Sequence, residues 1–292
     1  MSVNIVSQGL RRSGTTILFD ILSEDTRFSS FYEPLCKGKK TIGGGSKAKQ
    51  KDLTLLLRRA RTEYCHTHNI DARNNLFNVG APSNYKLEVL NKHINPEIVR
   101  YIKFLLEYND NSLLKFTRAT FLVEELHRLD PNAVFIHIVK HPIRWVASHI
   151  CRSDYSRPIA KDPNIFFNKH AGYNFWSQES IANLFISKTD RSLLNKPGYY
   201  KLLYVWKHFN KIIEENGQRL YGNNYIKVEN ERLYHEYEDI VKSIYMKAGL
   251  ETCDNTIYWA KNNLRKPKNI IFKGDRRWVK AFNELGINKR LS

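Results

Sequence analysis

The sequence predicts an α/β fold, a central parallel sheet with helices on both faces, from three observations. The chain opens on strand-like VNIVS, then the turn GLRRSGTT, then an apolar-periodic run from Thr15 to about Leu22. Strand, glycine-containing turn and helix in that order begin a βαβ unit. SLLKF (112–116) and AVFIHIV (133–139) are near-continuous apolar runs, as expected of parallel strands buried on both faces. Between them ATFLVEELHRL has helical periodicity and Asp130–Pro131–Asn132 is a turn, so a crossover helix joins two parallel strands.

The remaining elements follow in order. A short strand is predicted at Phe28–Tyr32, and helices from Asp52 to about Thr67 and around Pro96–Glu107. HPIRWVASHI starts a helix with Pro142 in its first turn, where a missing N–H costs nothing. An amphipathic helix runs from Tyr199 to about Asn216, a strand covers Asn224–Val228 and a helix Glu231–Ala248. Residues 36–51, CKGKKTIGGGSKAKQK, hold six lysines, four glycines and no acid, and are predicted to be a mobile loop. Residues 152–198 read as a loop-rich insertion with short helices, and the tail from Leu264 as basic and rich in turns. No repeat and no long linker divides the chain. Residues 1–292 are therefore read as a single domain, with insertions at about 36–110 and 151–198.

Charge narrows the partners. Lys and Arg number 47 against 29 acids, a net charge of +18. Such a field attracts polyanions: nucleic acid, acidic polysaccharide, phosphorylated nucleotide or anionic membrane. No helix-turn-helix, RRM or zinc-finger signature supports nucleic acid. No stretch approaches the roughly 20 apolar residues of a membrane span, and Val3–Val6 is too short for a secretory core. Cys36, Cys65, Cys151 and Cys253 are scattered, with no C-x-x-C pair, so we read reduced thiols and a cytoplasmic protein. Cys65, His66 and His68 lack a second ligand pair, and no metal is expected.

The turn Gly9-Leu-Arg-Arg-Ser-Gly14-Thr15-Thr16 copies the spacing of the phosphate loop G-x-x-x-x-G-K-[ST], with Thr15 in the lysine position. Backbone N–H groups of such a turn and the following helix N-terminus form an anion cradle. Without the lysine a nucleoside triphosphate and Mg²⁺ are poorly served, and a nucleotide with one 5′ anion chain fits better. The same pattern is also met as a plain turn with a helix cap.

RRSGTTILFDIL resembles the 5′-phosphosulfate loop of sulfotransferases that use 3′-phosphoadenosine 5′-phosphosulfate (PAPS); Arg12, Ser13, Gly14, Thr15 and Thr16 match its core. The resemblance implies a P-loop-NTPase-like sheet and PAPS as donor, with 3′-phosphoadenosine 5′-phosphate as product and no metal. VFIHIVKHPIRWVAS resembles the family's 3′-phosphate motif R-D-P-x-x-x-x-x-S. Pro142 and Ser148 match, Lys140 replaces the arginine and His141 the aspartate. Lysine keeps the charge but loses the bidentate fork, and Arg144 supplements it in this reading. FYEPL resembles the F/Y-E-P-L/V segment of galactose and N-acetylglucosamine 6-O-sulfotransferases. The likeness makes Glu33 the general base and points to a carbohydrate or glycoconjugate acceptor, itself anionic in one version; a tyrosyl or small-alcohol acceptor is the alternative.

Arg12, with Arg11 behind it, is the cation expected at the leaving 5′-phosphate. LLKFTRA resembles the L-K-x-P-R strand end, which places Lys115 and Arg118 toward the acceptor cleft; solvated charges are the plain alternative. FKGDRRWVKAF loosely resembles a late nucleotide-covering loop at Lys273, Gly274 and Trp278, where a core tryptophan is the simpler reading. Glu229 in KVENERL is read as structural. The Lys37–Lys51 run is either a solvated face or a guide for an anionic glycan. Two rivals stay open: a small-molecule kinase using ATP and Mg²⁺, and a non-catalytic polyanion binder.

Overall fold

β1 (Asn4–Gly9), β2 (Ser29–Tyr32), β3 (Ser112–Phe116), β4 (Val134–Val139) and β5 (Tyr225–Glu229) form one wholly parallel sheet in the order β2-β3-β1-β4-β5. The computed structural model describes residues 3–35, 47–70, 95–151, 154, 156–168, 178–265 and 269–287. They fall into two compact units, Met1–Val139 with Ile212–Lys266, and Lys140–Lys211 with Pro267–Ser292.

The first unit holds the sheet. Ile5 lies opposite Leu113 on one side and Val134 on the other. These residues face a core built with Leu18 and Phe19 of α1 (Thr15–Leu22), Val241 and Ile244 of a helix at Tyr237–Lys247, and Ala260 of a helix at Asp254–Asn263. One residue along, the pleat sends side chains to the opposite face. There the Phe135 ring stacks on Tyr221 with centroids 4.7 Å apart. Helices α2 (Lys47–Thr67) and α3 (Pro96–Leu106) meet through Tyr64 and Tyr101, both fully buried, with ring centroids 5.1 Å apart.

Several boundaries differ from the sequence reading, each for a local reason. Residues 47–51, expected in the lysine-rich loop, already belong to α2: past the glycines the composition is Lys, Ala and Gln, all good helix formers. The rest of that loop, and residues 71–94 of the first insertion, lie outside the described residues. The crossover helix α4 (Val123–Leu129) starts later than Ala119, because the Ala119 N–H is committed to the Gln8 side chain at 3.1 Å. In place of one helix over 231–248, a 3₁₀ turn at Arg232–Tyr234 precedes the helix at Tyr237–Lys247, whose first turn carries Glu238 and Asp239, where acids favour a helix start.

The second unit contains α5 (Pro142–Ile150), α6 (Pro163–Phe167), α7 (Gln178–Thr189) and, from the tail, a helix at Arg276–Leu285. A long helix, Gly198–Tyr221, runs past the expected end at Asn216 and crosses the unit boundary. At Gly217 a Cβ would stand 2.5 Å from the Tyr225 ring, so glycine there allows close packing. The tail helix corrects the turn-rich reading. Asp275 caps its start by accepting from the Arg277 N–H at 2.9 Å, and Gly286 ends it with φ +59°, the usual pair of signals. Its Trp278 is fully buried among Phe166, Phe167 and Tyr199, with centroids 4.8–5.7 Å away. Trp278 is therefore a core residue. No helix among the described residues is long and apolar enough to cross a membrane.

Asp25, just after α1, ties the first unit together. It accepts from Arg27 at 2.7–3.1 Å and from the buried Tyr245 hydroxyl at 2.8 Å. Burial raises its pKa, but these bonds outweigh burial and leave it below the ordinary aspartate value. Its contribution is thus complete above the unfolded-state pKa and is lost as the pH falls through the folded one. Asp25→Ala is expected to cost about 2–4 kcal/mol in urea unfolding at pH 7. The difference from wild type should shrink on acidification, and a variant as stable as wild type at pH 7 contradicts the assignment.

Candidate active site

The loop after the central strand β1 lies at the carboxyl end of the parallel sheet, where open α/β sheets bind ligands. At Gly9 a Cβ would stand 2.5 Å from the Ile138 carbonyl oxygen and 2.8 Å from Thr15 Cγ2, so only glycine lets β1, β4 and the loop close up. The turn is pinned by the Ser13 N–H donating to the Leu10 carbonyl at 2.9 Å. Arg12 has φ +73° and Gly14 φ +93°. The first conformation is uncommon for a side-chain-bearing residue, and strain of this kind collects at ligand sites.

No side chain caps α1 at Gly14, and its first turn holds no acid. The N–H groups at the start of a helix have no intrahelical acceptor, so Thr15 and Thr16 present donors to an anion. The Ser13 hydroxyl is buried with no hydrogen-bond partner among the described residues. Thr15 is itself buried, and Thr16 shares a 3.0 Å hydrogen bond with the Tyr32 hydroxyl. Arg11 and Arg12 are half-buried. Burial lowers the Arg12 pKa from its ordinary value, and Tyr32 works against that fall.

Tyr32 links the loop to Glu33. Glu33 follows β2 and has φ +45°. Its N–H donates to the Lys115 carbonyl at 2.9 Å, extending the β2–β3 ladder by one step. One carboxylate oxygen accepts from Lys115 Nζ at 2.6 Å and from the Thr117 hydroxyl at 2.5 Å; the other accepts from the Thr117 N–H at 3.3 Å. Lys115 is 1% exposed, and its ammonium also lies 4.1 Å from the centroid of the Tyr32 ring. Burial alone would lower its pKa, but Glu33 and Tyr32 outweigh burial and leave it above the ordinary lysine value. Lys115 is therefore a buried cation holding a carboxylate, not a solvated charge. The structure brings Arg12, Ser13, Gly14, Thr15, Thr16, Glu33 and Lys115 together at the ends of β1, β2 and β3. Arg118, three residues beyond Lys115, is half-exposed.

Lys140, Arg144 and Ser148 belong to the second unit. Lys140 precedes α5 and its carbonyl accepts from Trp206 Nε1 at 2.9 Å. Lys140 and Arg144 are half-exposed, while Ser148 is buried and its hydroxyl donates to the Trp145 carbonyl at 2.7 Å.

Comparison with known families adds a decisive observation: a sequence model of the sulfotransferase family matches residues 5–185. The chain belongs to the sulfotransferase family. It is accordingly an enzyme that uses PAPS to sulfate a hydroxyl-bearing acceptor. Sulfotransferase STF9 from Mycobacterium avium is similar in structure over 97% of this chain and 76% of its own, with a TM-score of 0.53 and 14% identity. The sulfotransferase domain from the curacin biosynthetic pathway covers 92% of this chain and 81% of its own, with a TM-score of 0.47 and 14% identity. The STF9 likeness supports the fold. A comparison with curated protein sequences finds no match.

The loop of this sulfotransferase suits the 5′ end of PAPS. It offers amide donors and the unpartnered Ser13 hydroxyl. The buried, unpartnered amide of Asn230 stands directly over Gly14, where a Cβ would overlap it. Sequence reading missed Asn230, Thr117 and the role of Tyr32. The first directly follows β5, so its place at the carboxyl end of the sheet was a usable signal; Tyr32 and Thr117 adjoin Glu33 and Lys115 in the chain, but their bonds to Thr16 and to the Glu33 carboxylate form only across strands. Gly14→Ala should force both the overlap with Asn230 and a strained φ, lowering unfolding free energy by about 1–3 kcal/mol. Urea titration checks this, and an unchanged midpoint contradicts the described turn.

Proposed function

We propose that this sulfotransferase transfers the sulfuryl group of PAPS to a hydroxyl of a carbohydrate or glycoconjugate acceptor, with Glu33 as general base. The observation that carries the reading is the Glu33 carboxylate, held by Lys115 and Thr117 and joined through Tyr32 to the phosphate loop.

PAPS supplies an activated sulfuryl group whose bond to the 5′-phosphate breaks as the acceptor oxygen bonds to sulfur. The protein positions the groups and manages the proton. Gly14–Thr16 bind the 5′ side through backbone N–H groups and Ser13 through its hydroxyl. Glu33 takes the acceptor hydroxyl proton, a role worth about 10²–10⁴ in rate. Arg12, with Arg11 behind it, balances the charge left on the 5′-phosphate. Lys140, Arg144 and Ser148 take the 3′-phosphate. Arg118 meets the acceptor, while Lys115 acts through Glu33 by keeping its carboxylate in place. The +18 net charge and the FYEPL likeness support a glycan acceptor, including an anionic one. That Cys65, Cys151 and Cys253 form no disulfide among the described residues supports a reducing, cytoplasmic setting.

Radiolabelled donor, assayed against a panel of glycan acceptors, is expected to label at least one of them. Glu33→Gln should lower that turnover about 100-fold or more. The same variant should still be stabilised in thermal melting by 3′-phosphoadenosine 5′-phosphate, which also shows that it folds. Full activity in Glu33→Gln rules out the base. In the same melting assay wild type should respond to the bisphosphate more than to ATP with Mg²⁺; the reverse order favours a kinase.

A further inference from the structure

With PAPS as the donor, as proposed above, we infer that the side-chain amide of Asn230 donates a hydrogen bond to the 5′-phosphosulfate. The residue directly follows β5. Its N–H donates to the Val139 carbonyl at 2.7 Å, continuing the β4–β5 ladder by one bond and fixing its Cα at the carboxyl end of the sheet. The residue is 3% exposed, and its Nδ2 is buried with no acceptor among the described residues. A Cβ placed on Gly14 would overlap that same Nδ2, so the amide lies against the loop at the one position without a side chain.

An unsatisfied buried donor is expensive to keep, and native structures leave few of them. Its surroundings are the wrong kind to satisfy it. The start of α1 offers N–H donors, and the Ser13 hydroxyl beside them is also unpartnered. What is needed there is a group made only of acceptors, and a phosphosulfate is such a group. Asparagine is suited to the place because it donates without a charge, whereas a carboxylate of the same shape would repel the anion. Asn230 thus adds a side-chain donor beside Gly14 to those of the loop, and it is specific to the 5′ group.

Calorimetric titration of wild type, Asn230→Ala and Asn230→Asp with 3′-phosphoadenosine 5′-phosphate tests this, with adenosine 3′-monophosphate as the ligand lacking the 5′ group. Affinity for the bisphosphate should fall about 10-fold in Asn230→Ala and about 100-fold in Asn230→Asp. Affinity for the monophosphate should stay within about twofold of wild type in Asn230→Ala. The ligand-free melting temperature of Asn230→Ala should be no lower than wild type, since the amide has no protein partner to lose. Unchanged bisphosphate affinity in Asn230→Ala overturns the assignment, as does an equal loss for both ligands, which indicates a structural role. Wild type that fails to bind the bisphosphate overturns the donor assignment and this contact with it; wild-type binding with indifferent variants overturns the contact alone.

Discussion

The ammonium of Lys115 decides where the Glu33 carboxylate can stand. It sits inside the sheet, where an unpaired charge costs several kcal/mol, and Glu33 supplies the opposite charge at 2.6 Å. The Tyr32 ring adds a second favourable surface 4.1 Å away. The pairing is also built into the backbone, since the Glu33 N–H bonds the Lys115 carbonyl and extends the β2–β3 ladder. Removing either partner would strand the other. The geometry is therefore rigid before any ligand arrives, as a group that must meet a hydroxyl proton requires.

The same economy governs the loop. Arg12 and Glu33 both adopt positive φ without being glycine, and both stand next to groups they are proposed to serve. Such conformations persist only where the surroundings over-determine them. Here the surroundings are the tightly packed ends of β1, β2, β3 and β4, where Gly9 leaves no room for a side chain. The Thr16–Tyr32 hydrogen bond joins the two strained positions into one unit. Donors, hydroxyls and cations dominate this end of the sheet, and the net positive charge of the chain adds a longer-range attraction for the anions it handles.

Much of this was legible in the sequence where local signals and tertiary demands agree. Thr15–Leu22 and Ser112–Phe116 were readable residue for residue, because a glycine turn and a near-continuous apolar run each leave little choice. Glu33 and the loop could be named from short motifs. The Lys115–Glu33 pair could not, since the two are 82 positions apart and meet only once the register of β2 on β3 is set. The likeness to the L-K-x-P-R strand end turns Lys115 toward the cleft, with a solvated charge as the plain alternative; burial against Glu33 is neither, since lysine is rarely buried. The tail helix is bracketed by Asp275 and Gly286, but the surrounding basic, turn-rich composition masks these caps. Asn230 could be placed at the carboxyl end of the sheet from its position after β5, but its contact with Gly14 appears only in the fold.

The most direct test is a crystal structure of the enzyme with 3′-phosphoadenosine 5′-phosphate. The account requires the 5′-phosphate oxygens within hydrogen-bonding distance of the backbone N–H groups of Gly14, Thr15 and Thr16, with the Glu33 carboxylate still paired to Lys115 and facing the open side of that phosphate. A nucleotide bound elsewhere, or a 5′-phosphate that makes no contact with those amides, contradicts it.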